Sequence, residues 1–226
     1  KTGDGSARAL VAAAGPAAEG IAVPWRIFGA NGQAGYHDLP VTQQFQRASP
    51  LTPPRRTRGI YAKSLFRSLE HLHRIGIHRP VARPDLGRPL RTEMPGGAPV
   101  PDNLNRMSAL WQFGVAQVNH YALRSRDSFL VKRDRGRVNH ANDVMEIDYW
   151  DRFDRSVTPC HAIRRYDAAV AGWRTSLLAD AALEGLHHKA VAWHRNKIAE
   201  LKARPDYAAL VAATDERLTR CDFSAS

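Results

Sequence analysis

The segment NHYALRSRDSFLVKRDRGR, from Asn119 to Arg137, decides the fold because it predicts a strand, a turn and a helix in direct succession. The residues leading into it show a period of two, in which one set of side chains alternates with another: Phe113, Val115, Gln117 and Asn119 with Gly114, Ala116, Val118 and His120. This alternation is the period of a buried strand in a mixed sheet, and it puts His120 at the end of that strand. Ser125 predicts the N-cap of the helix, and Gly136 predicts its end.

The charge of this segment favours an anionic ligand nearby. Between Arg124 and Arg137 there are six basic residues against Asp127 and Asp134, which gives a net charge of +4. The alternative that the residues leave open is a solvated helix face preceded by a core histidine.

The composition is that of a globular protein. The 226 residues are 43% hydrophobic and 24% charged, enough for one large domain or for a domain with a helical appendage. No apolar run approaches the roughly 20 residues that a membrane-spanning helix needs. Two cysteines without metal-type spacing favour a reducing cytoplasm. Because the sequence opens at Lys1, we expect a further segment upstream.

The positive charge is concentrated rather than spread evenly. The chain has a net charge of +11. The stretch from Arg55 to Arg91 contributes ten Lys or Arg residues against Glu70 and Asp85, a net of +8. Nucleic acid, acidic lipid headgroups and phosphorylated small molecules are the partners that such charge favours.

The first third of the chain predicts a helix, a strand and then a loop. The Ala-rich stretch from Ser6 to Ala14 predicts a helix, and Gly20 to Phe28 predicts a strand that Pro24 would place at an edge or a bulge. Gly29 and Gly32 then permit a tight turn, with or without a ligand close to its backbone.

Two irregular stretches flank the next predicted strand. The stretches from Gly35 to Arg58 and from Arg83 to Pro101 are rich in proline, glycine or polar residues. We expect both to be irregular, the first of them a surface loop with at most a short helical piece. Between them, Gly59 to Arg67 predicts a strand.

The last part of the chain predicts about three helices, from Ala162 to Leu218, the last beginning at Pro205. Apolar residues recur at helical spacing, and we interpret them as packing positions: Tyr166, Val170, Trp173, Leu177, Val191, Ile198 and Leu201.

Four sequence blocks, in this order, carry a resemblance to a known family. They are VPWRIFGANG (Val23 to Gly32), KSLFR (Lys63 to Arg67), GIHRP (Gly76 to Pro80) and the block from Asn119 to His140. The chain resembles a bacterial group of glycosyltransferase family 2 proteins and is also similar to relatives placed in glycosyltransferase family 92.

The resemblance implies an α/β fold of the GT-A type. This fold is a Rossmann-like nucleotide-diphosphosugar transferase core with a mixed sheet, here partial, followed by a C-terminal helical extension. Residues 1–145 would belong to the core and residues 146–226 to the extension. Mn²⁺ or Mg²⁺ would bridge the donor's diphosphate and an acidic motif that the family carries upstream of the position of Lys1. The nearest acidic substitutes are Glu146, Asp148 and Asp151.

The resemblance also implies site residues. His120 resembles the C-terminal metal-ligand histidine of many GT-A enzymes, and His78 is its rival. An imidazole ligand suits Mn²⁺ better than Mg²⁺. The candidate contacts to the donor and its diphosphate are Lys63, Arg124, Lys132, Gly29 and Gly32. Asp38 is the candidate catalytic base for an inverting transfer.

The function that follows is transfer of a sugar from a nucleotide-diphosphosugar to a glycan or another hydroxyl acceptor at the bacterial surface. We expect a cytoplasmic protein, with a peripheral contact to the inner membrane as an option, and expect the chain to be inactive without the upstream segment. The alternatives are a basic nucleic-acid-binding module, which the absence of a recognisable reader motif disfavours, and a membrane-surface interaction module.

Overall fold

A computed structural model describes residues 5–51, 62–76, 78–100, 113–137 and 143–220. The strands are β1 (Gly20–Phe28), β2 (Arg47–Ala48), β3 (Ala62–Phe66), β4 (Leu72–Ile75), β5 (Pro80–Ala82), β6 (Thr92–Glu93), β7 (Val118–Tyr121) and β8 (Thr158–Pro159). The α-helices are α1 (Ala7–Ala12), α2 (Val41–Gln44), α3 (Arg126–Arg135), α4 (Ile147–Phe153), α5 (Asp167–Leu178), α6 (Ala181–Ala203) and α7 (Pro205–Thr219). The chain is therefore mixed α/β, as predicted.

The chain divides into two compact units, one formed by residues 1–26 and 50–120 and the other by residues 27–49 and 121–226. β1 runs from the first unit into the second. The domain boundary between residues 145 and 146 stays a prediction.

The first unit is organised around β1. This strand pairs antiparallel with β3, from Gly20 opposite Phe66 to Pro24 opposite Ala62, and parallel with the short β6. β7 is a further partner of β1. The expectation that Pro24 places β1 at an edge or a bulge is wrong. Four other strands pair with β1, and its register with β3 runs to Pro24 opposite Ala62 without a shift.

Side chains of β1 alternate between two small cores of the first unit. Ile21 and Val23 pack with Leu10 of α1, and Ala22 packs with Ala62 and Met94 on the other side. This is the period of two expected of a strand that is covered on both faces.

The second unit has the larger core, which the helices supply. Phe129 and Leu130 of α3, Trp150 of α4 and Leu201 of α6 are among its fully buried side chains. Short antiparallel pairings add Phe28 opposite Ala48, and Arg47 and Ala48 opposite Pro159 and Thr158. Most of the strand pairs are antiparallel. The Rossmann-like core that the resemblance implies therefore stays a prediction.

The central segment folds largely as predicted. Ser125 caps α3 by accepting a hydrogen bond from the Ser128 amide, and the helix ends at Gly136, whose φ is +79°. The predicted strand from Phe113 was wrong at its start, because residues 113–115 form a turn and β7 begins at Val118. A hydrogen-bonded ladder, not alternation alone, fixes where a strand begins.

Candidate functional site

Three of the predicted site residues meet on one indole ring in the first unit. The imidazole of His120, on β7, stacks on the ring of Trp25, on β1, with 3.9 Å between the ring centroids and 18° between the planes. His78 approaches the same indole edge-on, with its centroid 5.1 Å away. The ammonium of Lys63 lies 5.4 Å from the Trp25 ring centroid. We call these four residues the Trp25 cluster.

Strand pairing explains why the cluster forms. Lys63 lies on β3 opposite Val23, which is two residues from Trp25 along β1. The Ser64 hydroxyl donates to the carbonyl oxygen of His78 at 3.2 Å, which ties the His78 backbone to β3. β7 pairs with β1 and brings His120 to the same strand. Residues distant in sequence therefore converge on the middle of the unit's main strand.

The electrostatics of the Trp25 cluster favour a neutral His78. Burial lowers the pKa of His78 below its usual value, a hydrogen bond with the Ala62 backbone opposes this, and the charge of Lys63 lowers it further. Lys63 is exposed, and Trp25, His78 and His120 are half-buried. The cluster thus combines a flat aromatic ring, two imidazoles and one ammonium, a set of groups suited to a phosphorylated or otherwise anionic ligand.

The cluster does not by itself make up a metal site. It contains two imidazoles and no carboxylate, whereas Mg²⁺ and Mn²⁺ prefer oxygen ligands. Over the residues that the structure describes, no group of three or more His, Cys, Asp or Glu side chains could hold a metal ion. The involvement of Mn²⁺ or Mg²⁺ therefore stays a prediction from the resemblance.

Two of the three nearest acidic substitutes, Asp151 and Glu146, are engaged with arginines of the second unit. Asp151 forms a bidentate pair with Arg217, at 2.8 and 3.0 Å, and Glu146 pairs with Arg133. A metal at these carboxylates would have to displace a guanidinium first.

The remaining predicted residues lie in the second unit. Asp38 accepts from His187 Nε2 at 2.9 Å and pairs with Arg174 at 3.4 Å. Burial would raise the pKa of Asp38, but the hydrogen bond from His187 and the charges of His187, Arg174 and Arg195 outweigh it, so the pKa lies below its usual value. A carboxylate held in this way stays ionised at neutral pH and is a weak proton acceptor. The proposal that it is the base stays a prediction.

The loop of Gly29 and Gly32 is built on internal contacts of the second unit. A Cβ at Gly29 would overlap Asp154 Oδ1, Ser156 Oγ and the Arg155 amide. Gly32 has a φ of +72°, which suits glycine. The close approach that Gly29 permits is therefore to the segment 154–156, and contact of this loop with a donor stays a prediction.

Asn31 holds this loop in place. Its side-chain oxygen accepts from the amides of Gln46 and Arg47, at 2.8 and 2.6 Å, and its side-chain amide donates to the carbonyl oxygen of Gly29 at 2.9 Å. Its φ of +54° is in the left-handed region that asparagine tolerates better than most residues. Sequence reasoning treated Asn31 as part of a turn and missed this role.

Arg124 precedes α3 and Lys132 lies on it, and the two side chains differ in exposure. Arg124 is exposed, in a left-handed conformation with φ +61°, just before the helix. Lys132 is half-buried, and its ammonium donates to the carbonyl oxygen of Ala122 at 2.6 Å and to the Tyr149 hydroxyl at 2.8 Å. Of the two, Arg124 is the one placed to meet a ligand from solvent.

Trp25 is the functional candidate that sequence reasoning missed. It occurs in the block VPWRIFGANG, which served as a predicted strand and as part of the resemblance without a role for Trp25 itself. The signal available in the sequence was a large aromatic residue within the predicted strand, in the same resemblance block as Gly29 and Gly32.

Comparisons of the sequence and the structure with family models, curated proteins and solved structures find no match to this chain. The family resemblance therefore stays a prediction. None of the helices in the described ranges has both the length and the apolar character needed to cross a bilayer.

Proposed function

We propose that this chain is part of a glycosyltransferase that moves a sugar from a nucleotide-diphosphosugar to a hydroxyl acceptor. The observation that carries the proposal is the Trp25 cluster. Lys63, His78 and His120 come from three separate sequence blocks of the resemblance, and all three lie on the ring of Trp25.

The chemistry of the cluster suits the donor. Departure of a nucleoside diphosphate leaves negative charge on its phosphate oxygens, and this charge must be neutralised as it grows. Lys63 supplies a positive charge, and the imidazoles of His78 and His120 supply N–H donors or nitrogen lone pairs, according to tautomer. The exposed part of the indole offers a flat surface for a base or a sugar ring.

A binding screen tests the proposal. The full-length protein is titrated with uridine and guanosine diphosphosugars by calorimetry, with and without Mn²⁺ or Mg²⁺, and with a short single-stranded RNA for comparison. We expect one nucleotide-diphosphosugar to bind in preference to the others, and we expect the Lys63→Gln variant to bind it about tenfold more weakly.

Arg74→Gln is the matched control, because Arg74 is an exposed basic residue of the same unit, on β4. It should bind like the wild type. Binding of RNA that weakens steeply with salt, without discrimination among sugar nucleotides, would overturn the proposal in favour of a nucleic-acid-binding module. Equal binding of the nucleotide-diphosphosugar with and without the divalent ions would show that binding of the donor needs no metal ion.

A further inference from the structure

The helix α5 buries none of its twelve residues. The predicted packing positions form one stripe along it and are between 39% and 68% exposed: Tyr166, Val170, Trp173 and Leu177. The interpretation of these four residues as packing positions is wrong within the described part of the chain. The predicted packing positions of α6 are buried, which confirms that part of the prediction: Val191, Ile198 and Leu201. Beside the stripe of α5, Arg174 is half-buried and pairs with Asp38.

The loop of residues 33–38, in the second unit, is tied to two helices. The amides of Arg126 and Asp127, at the start of α3, donate to its first two carbonyl oxygens, both at 3.0 Å. The ring of Tyr36, two residues further along the loop, packs edge-on against His194 of α6, with 4.5 Å between the ring centroids. The start of α3 and the middle of α6 therefore meet at this loop.

Asp38 connects the same loop to a third helix. Its carboxylate accepts a hydrogen bond from His187 Nε2 of α6 at 2.9 Å and pairs with Arg174 of α5 at 3.4 Å. Helices α3, α5 and α6 thus converge on residues 36–38.

Three arginines bring positive charge to Tyr36. Arg124 directly precedes the N-cap of α3, Arg174 lies on α5 and Arg195 lies on α6. Burial and the charge of Asp38 raise the pKa of the Tyr36 phenol, and the charges of the three arginines act in the opposite direction. Because such effects need charges close to the titrating group, the phenol lies among three guanidinium groups.

Most of this positive charge is uncompensated. Asp38 pairs with one of the three arginines, while Arg124 and Arg195 form no ion pair with any residue that the structure describes. Asp127, close by on α3, is already engaged with two other basic residues. Glu184 lies eleven residues before Arg195, about 16 Å along α6. Three arginines against one carboxylate leave a net charge of +2 at this place.

Arg124 holds its position against two unfavourable effects. Its φ of +61° is in the left-handed region, which residues with a side chain rarely adopt. Burial, and after it the charge of Arg124, lowers the pKa values of His194 and Lys132, which shows that like charges repel here. Strained backbone and perturbed titrating groups cluster at ligand sites, and a bound anion would relieve the repulsion.

We propose that Arg124, Arg174 and Arg195, with the hydroxyl of Tyr36, bind the phosphate group of a small phosphorylated molecule. Guanidinium forks match the oxygens of a phosphate. A phosphate monoester carries a charge of about −1.5 to −2 at neutral pH, which balances the charge of this site. A nucleic-acid strand needs a row of cations, whereas these three meet at one phenol. The inference rests on residues of the second unit and does not depend on the proposed function.

Calorimetry in phosphate-free buffer tests the inference. The full-length protein is titrated with glucose 1-phosphate, inorganic phosphate and uridine diphosphate, and with glucose as the neutral comparison. We expect saturable binding of glucose 1-phosphate and none of glucose, and the tightest of the three phosphates identifies the source of the phosphate group. Arg195→Gln should weaken this binding about tenfold, Arg124→Gln/Arg195→Gln about a hundredfold, and Tyr36→Phe, which keeps the ring against His194, about fivefold.

Lys189→Gln is the matched control, because Lys189 is an exposed basic residue on a different side of α6. It should bind like the wild type, and thermal denaturation without ligand should show that every variant is folded. The inference would be overturned if none of the three phosphates bound to the wild type, or if Lys189→Gln and Arg195→Gln lost binding equally. Binding of single-stranded RNA that falls steeply with salt and is lost in the double variant, without any response to the small phosphates, would overturn it in favour of a nucleic-acid surface.

Discussion

His120 lies flat against Trp25, with the imidazole and indole centroids 3.9 Å apart. A histidine in this position has two separable roles, as an aromatic ring that packs and as a pair of nitrogens that bind. His120→Phe keeps the ring and removes the nitrogens, whereas His120→Ala removes both.

We expect His120→Phe to melt like the wild type and to bind the nucleotide-diphosphosugar at least about tenfold more weakly. His120→Ala should show the same loss of binding and in addition lose about 1 kcal/mol of stability with the stack. Thermal denaturation and calorimetry on the same samples separate the two roles. Wild-type binding by His120→Phe would limit His120 to packing.

Gly29, in the second unit, has no room for a side chain. Gly29→Ala would force a methyl group onto Asp154, Ser156 and a backbone amide, and the amides of Ala30 and Asn31 hold this segment in place by donating to Asp154 and Ser156 at 2.9 Å. We expect a loss of about 3 kcal/mol in the free energy of unfolding, measured in urea.

Gly172→Ala is the control for this substitution. Nothing lies within 4 Å of a Cβ at Gly172, which is in the interior of α5. Alanine should therefore stabilise the helix, by about 1 kcal/mol. A similar small effect of alanine at both positions would contradict the tight packing at Gly29.

Local signals in the sequence were enough to predict where several elements begin and end. β1 occupies Gly20–Phe28 as predicted, α3 begins after Ser125 and ends at Gly136, and α7 begins at Pro205. For the two helices, the deciding interaction lies within a few residues of the chain: a cap and a helix-ending glycine for α3, and a proline in the first turn for α7.

The pairing of elements and the site were not predictable in the same way. The antiparallel pairing of β1 with β3 brings Lys63 next to Trp25, and β7 brings His120 from nearly a hundred residues away. Such contacts depend on which strands pair, and the pattern of one strand does not contain that information. The exposed stripe of α5 was missed because helical spacing does not tell what covers a face.

His194 is expected to make the second unit sensitive to acid. It packs against Tyr36, with ring centroids 4.5 Å apart, and its Nε2 lies 3.4 Å from the Ser128 hydroxyl. Burial lowers the pKa of His194 below the usual value of 6.5, the charge of Arg124 lowers it further, and Asp127 opposes the shift.

The sign of the pH effect follows from that shift. As the pH falls below about 6.5, the unfolded chain takes up a proton at His194 before the folded chain does, so the free energy of unfolding decreases. We expect the melting temperature to fall between about pH 7 and pH 5, and His194→Gln should reduce the slope. His188→Gln, an exposed histidine of the same helix, should leave the slope unchanged. An equal slope in all three proteins would rule His194 out as a source of the acid sensitivity.

Lys132 should make the free energy of unfolding depend on pH in the alkaline range. Burial, helped by the charges of Arg124, Arg135 and Arg137, lowers the pKa of Lys132 from 10.5 to about 8. Above about pH 8 the folded chain therefore releases this proton while the unfolded chain keeps it, and the free energy of unfolding should rise with pH up to about 10.5.

Lys132→Met keeps the length of the side chain and removes the titrating group, so this contribution to the rise should disappear. Lys189→Met, at an exposed position on α6, should retain it. Urea denaturation at several pH values measures the slope for each protein. A slope that is the same in Lys132→Met and in the wild type would contradict a buried ammonium at this position. In that case, Lys132 would be as accessible to a diphosphate as the resemblance implies.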